Sequence, residues 1–104
     1  MDIRDKHIEA LVRGKSFAEI GGLWGATAER ISVAHEYGAR SLMMIDILPP
    51  LNKWWGEFRK RMTEKGVEKY KTLSVDIMSS RCQPFQVTHS SGILYHCPNP
   101  LQYL

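Results

Sequence analysis

The chain has 104 residues, 43% of them hydrophobic and 24% charged, a balance typical of one small globular domain. Its net charge of +3 is modest and does not by itself predict a nucleic-acid partner. The two cysteines, Cys82 and Cys97, make no disulfide framework and favour a cytoplasmic protein. The charged N-terminus is unlike a signal peptide, and no apolar run approaches about 18 residues, so no membrane span is expected.

The apolar residues predict helices and strands in alternation, separated by glycines and prolines. In chain order these are a helix over 2–13, a strand over 15–21, a helix over 26–37, a strand over 41–47, a helix over 52–65, strands over 71–77 and 85–90, a helical turn over 93–97 and the start of a last helix at 98. Alternating strands and helices indicate a parallel sheet, with right-handed crossovers that place helices on its faces.

The helix predicted over 26–37 shows an inner apolar stripe that includes Ile31 and Ala34. Glu29 and Arg30 fall on the other side of this pattern, so we expect them to face water for the most part. The run over 41–47 is almost continuously apolar, which is typical of a parallel strand covered on both faces.

The helix predicted over 52–65 begins after Asn52, which is expected to cap it. Its buried stripe is expected to consist of Trp54, Trp55, Phe58 and Met62. A role of the two tryptophans in the core is favoured over a base-stacking platform. The basic cluster over 59–61 alternates with glutamates, a pattern typical of a solvated helix face.

A glycine-rich stretch over 21–25 joins the first strand to the second helix. Glycine permits positive φ and lets a ligand approach the backbone closely. The following helix directs unpaired N–H groups and a positive dipole end at this turn. Glu19, near the end of the strand, places a carboxylate where a cationic ligand group could meet it.

Three carboxylates, those of Glu19, Asp46 and Asp76, stand at the ends of predicted parallel strands. The carboxyl ends of such strands line one edge of the sheet, and ligands bind at that edge. The pattern therefore favours a nucleoside-type ligand.

The dinucleotide fingerprint requires glycines at the first, third and sixth positions of the turn. Counted from Gly21, the third and sixth residues are Leu23 and Ala26; counted from Gly22, they are Trp24 and Thr27. Neither count gives the required glycines, so the dinucleotide fingerprint is not present. No Gly-Lys-Ser/Thr follows, so the stretch is not a P-loop. A nicotinamide-dependent oxidoreductase is accordingly the least favoured of the functions considered for this chain.

Four stretches, spread over about 15–104, carry a family resemblance. They are Glu19-Ile-Gly-Gly-Leu-Trp-Gly25, Met44-Ile-Asp-Ile47, Ser74-Val-Asp-Ile77 and Ser90-Ser-Gly-Ile-Leu-Tyr-His-Cys-Pro-Asn-Pro100. Together they resemble successive motifs of the class I S-adenosylmethionine-dependent methyltransferases. The last stretch is the most specific of the four.

The resemblance implies a group of residues around the methionine portion of S-adenosylmethionine. They are Gly21, Gly22 and Gly25 in the turn and Ser90 and Ser91 at the end of the fourth strand. Glu19 would meet the ammonium group, directly or through water. Leu23 departs from the family, whose loop has its central glycine there, and is expected to narrow the pocket.

The resemblance also implies contacts with the adenosine portion. Asp46 would take the ribose hydroxyls, and Ile47 would pack on the adenine. Asp76 would accept a hydrogen bond from the adenine amino group, with Ile77 on the other side of the ring. A carboxylate at the second strand end, about 20 residues past the turn, is also the general ribose contact in such folds.

The expected fold is an α/β, Rossmann-like three-layer sandwich with a mostly parallel sheet, truncated to about four of the family's seven strands. Residues 1–14 would form an N-terminal helix, and 15–104 the cofactor-binding half of a single partial domain. Much of the substrate pocket would then be missing, so the methyl acceptor stays unknown and activity of the chain alone stays open. The fourth strand is expected to leave an unpaired edge, through which a homodimer is a hypothesis.

The function expected is therefore S-adenosylmethionine-dependent methyl transfer, with S-adenosylmethionine and S-adenosylhomocysteine as ligands. The alternative is a non-catalytic cofactor- or nucleoside-binding module, or an assembly subunit that needs a partner chain. His89, His96, Cys97 and Cys82 match no standard zinc spacing, so no metal is expected. Tyr95 or His96 could act as a general base for methyl transfer, but aromatic packing near the cofactor is the favoured role.

Overall fold

The computed structural model describes residues 3–23, 29–75, 86–90 and 93–96. In chain order the elements are α1 (Ile3–Leu11), β1 (Ser16–Ile20), α2 (Ile31–Glu36), β2 (Ser41–Asp46), α3 (Lys53–Glu64), β3 (Lys71–Ser74), β4 (Val87–Ser90) and β5 (Ile93–His96). Within these ranges, no helix has the length and apolar character needed to cross a membrane.

The five strands form one sheet in the order β3-β2-β1-β4-β5. β1 lies between β2 and β4 and is parallel to both, and β2 is parallel to β3. The order of the four parallel strands confirms the predicted α/β fold with a mostly parallel sheet. It also brings the carboxyl ends of these strands to one edge.

The fifth strand differs from the sequence prediction. Residues 93–96 form β5, antiparallel to β4 with Ser90 opposite Ile93, whereas the sequence predicted a helical turn there. Two residues separate β4 from β5 in the sequence. β4 is therefore paired on both sides, and the expectation that it leaves an unpaired edge was wrong. Among the described strands, the edges are β3 and β5.

One hydrophobic cluster fills the space between the sheet and the three described helices. Its buried members are Ile8, Val12, Phe17, Leu23, Ile31, Ala34, Leu42, Met44, Trp55, Phe58, Met62, Val67 and Val87. On the opposite face of the sheet, Ala18, Ile45 and Thr88 are also buried. The central strands are thus covered on both faces, which the apolar run over 41–47 predicted.

Helix α3 closely follows the prediction. The Asn52 side chain accepts a hydrogen bond from the Trp54 backbone N–H at 2.9 Å and so caps the helix. Trp55, Phe58 and Met62 are buried as expected. Trp54, expected in the same stripe, is only half-buried and packs against the core from outside. The Lys53 ammonium lies 5.3 Å from the centre of its ring.

Helix α2 is shorter than predicted, and the residue before its N-cap is buried. Glu29 is 0% exposed, whereas its place in the apolar pattern predicted a residue in water. Its carboxylate accepts hydrogen bonds from the Ser32 N–H at 2.8 Å, from the Ser32 hydroxyl at 2.6 Å and from Arg61 Nε at 2.7 Å. These donors compensate the buried charge. Arg61 is consequently not part of a solvated helix face.

The cap of α3 gives a direct test of the fold. We expect Asn52→Ala to lower the free energy of unfolding by about 1 kcal/mol, because the Trp54 N–H loses its acceptor. Asn52→Asp keeps a side-chain oxygen at the cap and should stay within about 0.5 kcal/mol of the parent chain. Urea denaturation followed by circular dichroism measures both. Equal losses in the two variants would show that the cap contributes nothing.

Candidate cofactor-binding site

The candidate site lies at the edge of the sheet where β1 and β2 end. Gly21 follows β1 with φ of 77°, a conformation that side-chain-bearing residues rarely adopt. Its N–H donates to the Ile45 carbonyl at 2.8 Å, which ties the turn to the neighbouring strand. A Cβ added at Gly21 would meet nothing within 4 Å, so this glycine is required by its backbone angle and not by crowding.

Glu19 occupies the space beneath the turn. Its side chain is buried, with Oε1 accepting from the Arg30 backbone N–H at 2.7 Å and Oε2 lying 3.3 Å from His89 Nδ1. A Cβ added at Gly22 would overlap the Glu19 carboxyl group. Gly22 is therefore required by close packing, since the carboxylate is held in place from two sides.

His89 is a site residue that the sequence did not single out for this role. It lies on β4 directly opposite Glu19 on β1 and is 6% exposed. With its proton on Nδ1, the imidazole donates to Glu19 and leaves Nε2 as an acceptor. Nε2 is buried and has no partner among the described residues. Only the pairing of β1 with β4, which spacing along the chain does not reveal, brings the two side chains together.

Asp46, the last residue of β2, joins two loops. Its Oδ2 accepts from the Leu23 N–H at 3.1 Å, and its Oδ1 accepts from the Leu48 N–H at 3.0 Å. A carboxylate has about four lone-pair sites, so two more hydrogen bonds can still be accepted. The Leu23 side chain is fully buried in the core, whereas the sequence predicted that it would narrow the ligand pocket.

The loop after Asp46 is firmly held and presents an apolar side chain to solvent. The Leu48 carbonyl accepts from Trp55 Nε1 at 3.0 Å and from the Ser74 hydroxyl. Ile47 remains 64% exposed although it lies between two anchored residues. An exposed isoleucine on a rigid loop beside a carboxylate is suited to pack against a planar ring.

The remaining predicted residues are only partly within the described structure. Ser90 ends β4 opposite Ile20, which puts its backbone at the same edge as the turn. Gly25, Asp76, Ile77 and Ser91 lie outside the described residues.

Within the part of the chain that the structure describes, no three His, Cys, Asp or Glu side chains are grouped to hold a metal ion.

The fold is similar to that of a solved methylase. The ribosomal protein L11 methylase from Lactobacillus delbrueckii subsp. bulgaricus superposes with a TM-score of 0.62 at 16% sequence identity. The match covers 84% of this chain and 43% of the methylase chain. No protein-family model and no curated protein matches the sequence. The likeness shows a methyltransferase-like α/β fold, and this chain spans less than half the length of that methylase.

The packing of Gly22 on Glu19 predicts a coupled pair of substitutions. Gly22→Ala should destabilise the fold by about 1–3 kcal/mol, because the new methyl group displaces a carboxylate that is held by two partners. In a Glu19→Ala background the same substitution should have a much smaller effect. Gly21→Ala is the matched control: its strain comes from φ alone and should be the same in both backgrounds. Chemical denaturation of the five variants measures the coupling, and purely additive losses at Glu19 and Gly22 would contradict this packing.

Proposed function

We propose that the chain is the cofactor-binding part of an S-adenosylmethionine-dependent methyltransferase domain. One observation carries the proposal: the Asp46 carboxylate at the end of β2 accepts a hydrogen bond from Leu23 in the glycine turn after β1. The acidic group and the turn thus lie side by side at the carboxyl edge of a parallel sheet, where such folds bind nucleosides. The likeness of the fold to a methylase supports the same assignment.

The adenosine portion is assigned to the β2 end. Asp46 would accept from the ribose hydroxyls with the lone pairs that Leu23 and Leu48 leave free. Ile47 would cover one face of the adenine, and burial against the ring explains why an exposed isoleucine stands there. Asp76 and Ile77 complete the adenine contacts in this proposal.

The methionine portion is assigned to the β1 turn. Gly21 and Gly22 leave the backbone open to a close approach by the ligand. Gly25, Ser90 and Ser91 complete this part of the proposed site. Glu19 is only 2% exposed and both its oxygens have partners, so its attraction for the ammonium group would act through water. Its principal task is to hold the turn.

The chemistry asked of the chain's own residues is limited. The methyl group of the bound cofactor is already electrophilic, so the protein has to orient it towards the acceptor and exclude water. This accounts for a site whose described residues are glycines, carboxylates and an apolar side chain. The acceptor itself is left open, and a cytoplasmic location belongs to the same proposal.

The second candidate is a cofactor-binding module that does not catalyse transfer, or an assembly subunit that requires a partner chain. Among the described strands β5 is a short edge strand, and a homodimer would extend the sheet there. Transfer of a labelled methyl group from S-adenosylmethionine to components of a cell extract separates an enzyme from a module. Sedimentation velocity of the purified chain separates a monomer from a dimer.

The exposed isoleucine provides the sharpest test of the proposed binding. By calorimetry, S-adenosylhomocysteine should bind the parent chain, and Ile47→Ala should weaken binding by about three- to tenfold through lost contact with the ring. Neither folding nor the core should change, because Ile47 is exposed. Leu51→Ala is the matched control, since Leu51 is 99% exposed on the same loop and should leave affinity unchanged. A folded parent chain without measurable affinity would overturn the proposal, as would equal effects of the two substitutions.

A further inference from the structure

The opposite, amino edge of the sheet gathers basic residues from two neighbouring loops. The Gly14 N–H donates to the Gly38 carbonyl and the Arg40 N–H donates to the Lys15 carbonyl, both at 2.8 Å. Arg13 forms a bridge with Ala39. The loop before β1 and the loop before β2 are thereby held side by side.

A recess of about 350 Å³ opens at this edge, between the start of β2 and the segment that leads into β3. Its charged lining consists of Arg40, Lys69 and Lys71, and the other lining residues are Tyr70 and 41–43. No carboxylate is among the described residues that line it. The volume falls in the range of small-molecule sites.

Arg40 is oriented by neighbours at the same edge. Its Nη2 donates to Gln86 Oε1 at 3.2 Å, and that oxygen also accepts from the Ser16 N–H at 3.2 Å. The Gln86 N–H in turn donates to the Ser16 hydroxyl at 2.9 Å. A guanidinium held in this way loses less side-chain entropy when an anion binds to its remaining donors.

Lys69 and Lys71 supply the two point charges on the other side of the recess. They are two residues apart where the chain enters β3, and both line the recess. Both are exposed, and neither forms an ion pair with another described residue. Tyr70 lies between them in the sequence, and its ring packs edge-on against the ring of Phe58, with 5.5 Å between the ring centres.

The charge of the chain is concentrated at this edge. Residues 12–15, 37–40 and 68–71 contain five cations and a single carboxylate, that of Glu68. The cations are Arg13, Lys15, Arg40, Lys69 and Lys71. The rest of the chain has slightly more acidic than basic side chains, although the net charge of the whole is +3. A cationic recess concentrates anions.

We propose that this recess is a binding site for the phosphate group of a nucleotide. Ammonium and guanidinium groups are the side-chain groups that bind phosphate oxygens, and the recess has room for one such ligand. The site lies one strand length, roughly 17–20 Å, from the glycine turn. It is therefore separate from the proposed cofactor site and does not depend on it. A free nucleotide and a phosphate of a polynucleotide share this chemistry.

The test uses adenosine monophosphate, adenosine and a short single-stranded RNA as probes, with the complete chain and amide chemical shifts as the readout. Adenosine monophosphate should shift Arg40, Lys69 and Lys71, and adenosine should not. Replacing both lysines by glutamine (K69Q/K71Q) should weaken binding by about tenfold or more. The matched control R59Q/K60Q removes two exposed charges from α3 and should change affinity less than twofold.

Three results would overturn the proposal: equal weakening by both double variants, binding of adenosine as tight as that of its monophosphate, or displacement of the monophosphate by S-adenosylhomocysteine. RNA affinity that falls steeply as salt rises, with a slope that corresponds to several phosphate contacts, would support a polynucleotide as the source. Tighter binding of the free nucleotide than of RNA would support a mononucleotide. Loss of affinity for S-adenosylhomocysteine in Ile47→Ala bears on the cofactor site alone, so the two proposals can fail separately.

Discussion

A buried carboxylate beneath the first turn is the interaction on which the candidate site depends. Glu19 is an ionisable side chain in the middle of a sheet, and it is tolerated there because the Arg30 N–H and the His89 imidazole meet its two oxygens. These contacts join β1 to the start of α2 and to β4. The carboxylate also takes the space that any side chain at position 22 would need. The place of Gly22 is therefore set from inside the protein.

Asp46 extends this organisation to the second strand. Its two oxygens connect the glycine turn to the loop that leads into α3, and Trp55 and Ser74 fix the same loop through the Leu48 carbonyl. The backbone groups of Leu23 and Leu48 at this edge of the sheet are thus held by hydrogen bonds within the protein. Such preorganisation is what a site needs if its task is to hold a reactive cofactor and orient it. The amino edge has a different character, since it carries exposed cations around a recess.

Local sequence patterns were sufficient for the parallel part of the fold. The apolar run over 41–47 indicated a strand buried on both faces, and Asn52 marked the start of α3 at the observed residue. Features that depend on distant partners were not predictable. Glu29 is buried because Arg61, 32 residues away, supplies a donor, and no apolar periodicity reveals that pair. Residues 93–96 form a strand because β4 is available to pair with them. At the site, the sequence identified Glu19 and Asp46 from their strand ends, but His89 became visible only once β1 and β4 were aligned.

The proposed site for S-adenosylmethionine at the carboxyl edge consists of the turn after β1 and the loop after β2 together. Titration of the ¹⁵N-labelled chain with S-adenosylhomocysteine, followed by amide chemical shifts, measures whether both parts bind one ligand. We expect saturable shifts at Gly21, Gly22, Leu23 and Ile47 together, with Lys71 at the opposite edge unchanged. A folded chain that shows no shifts, or shifts only at the amino edge, would rule out a cofactor site at the carboxyl edge.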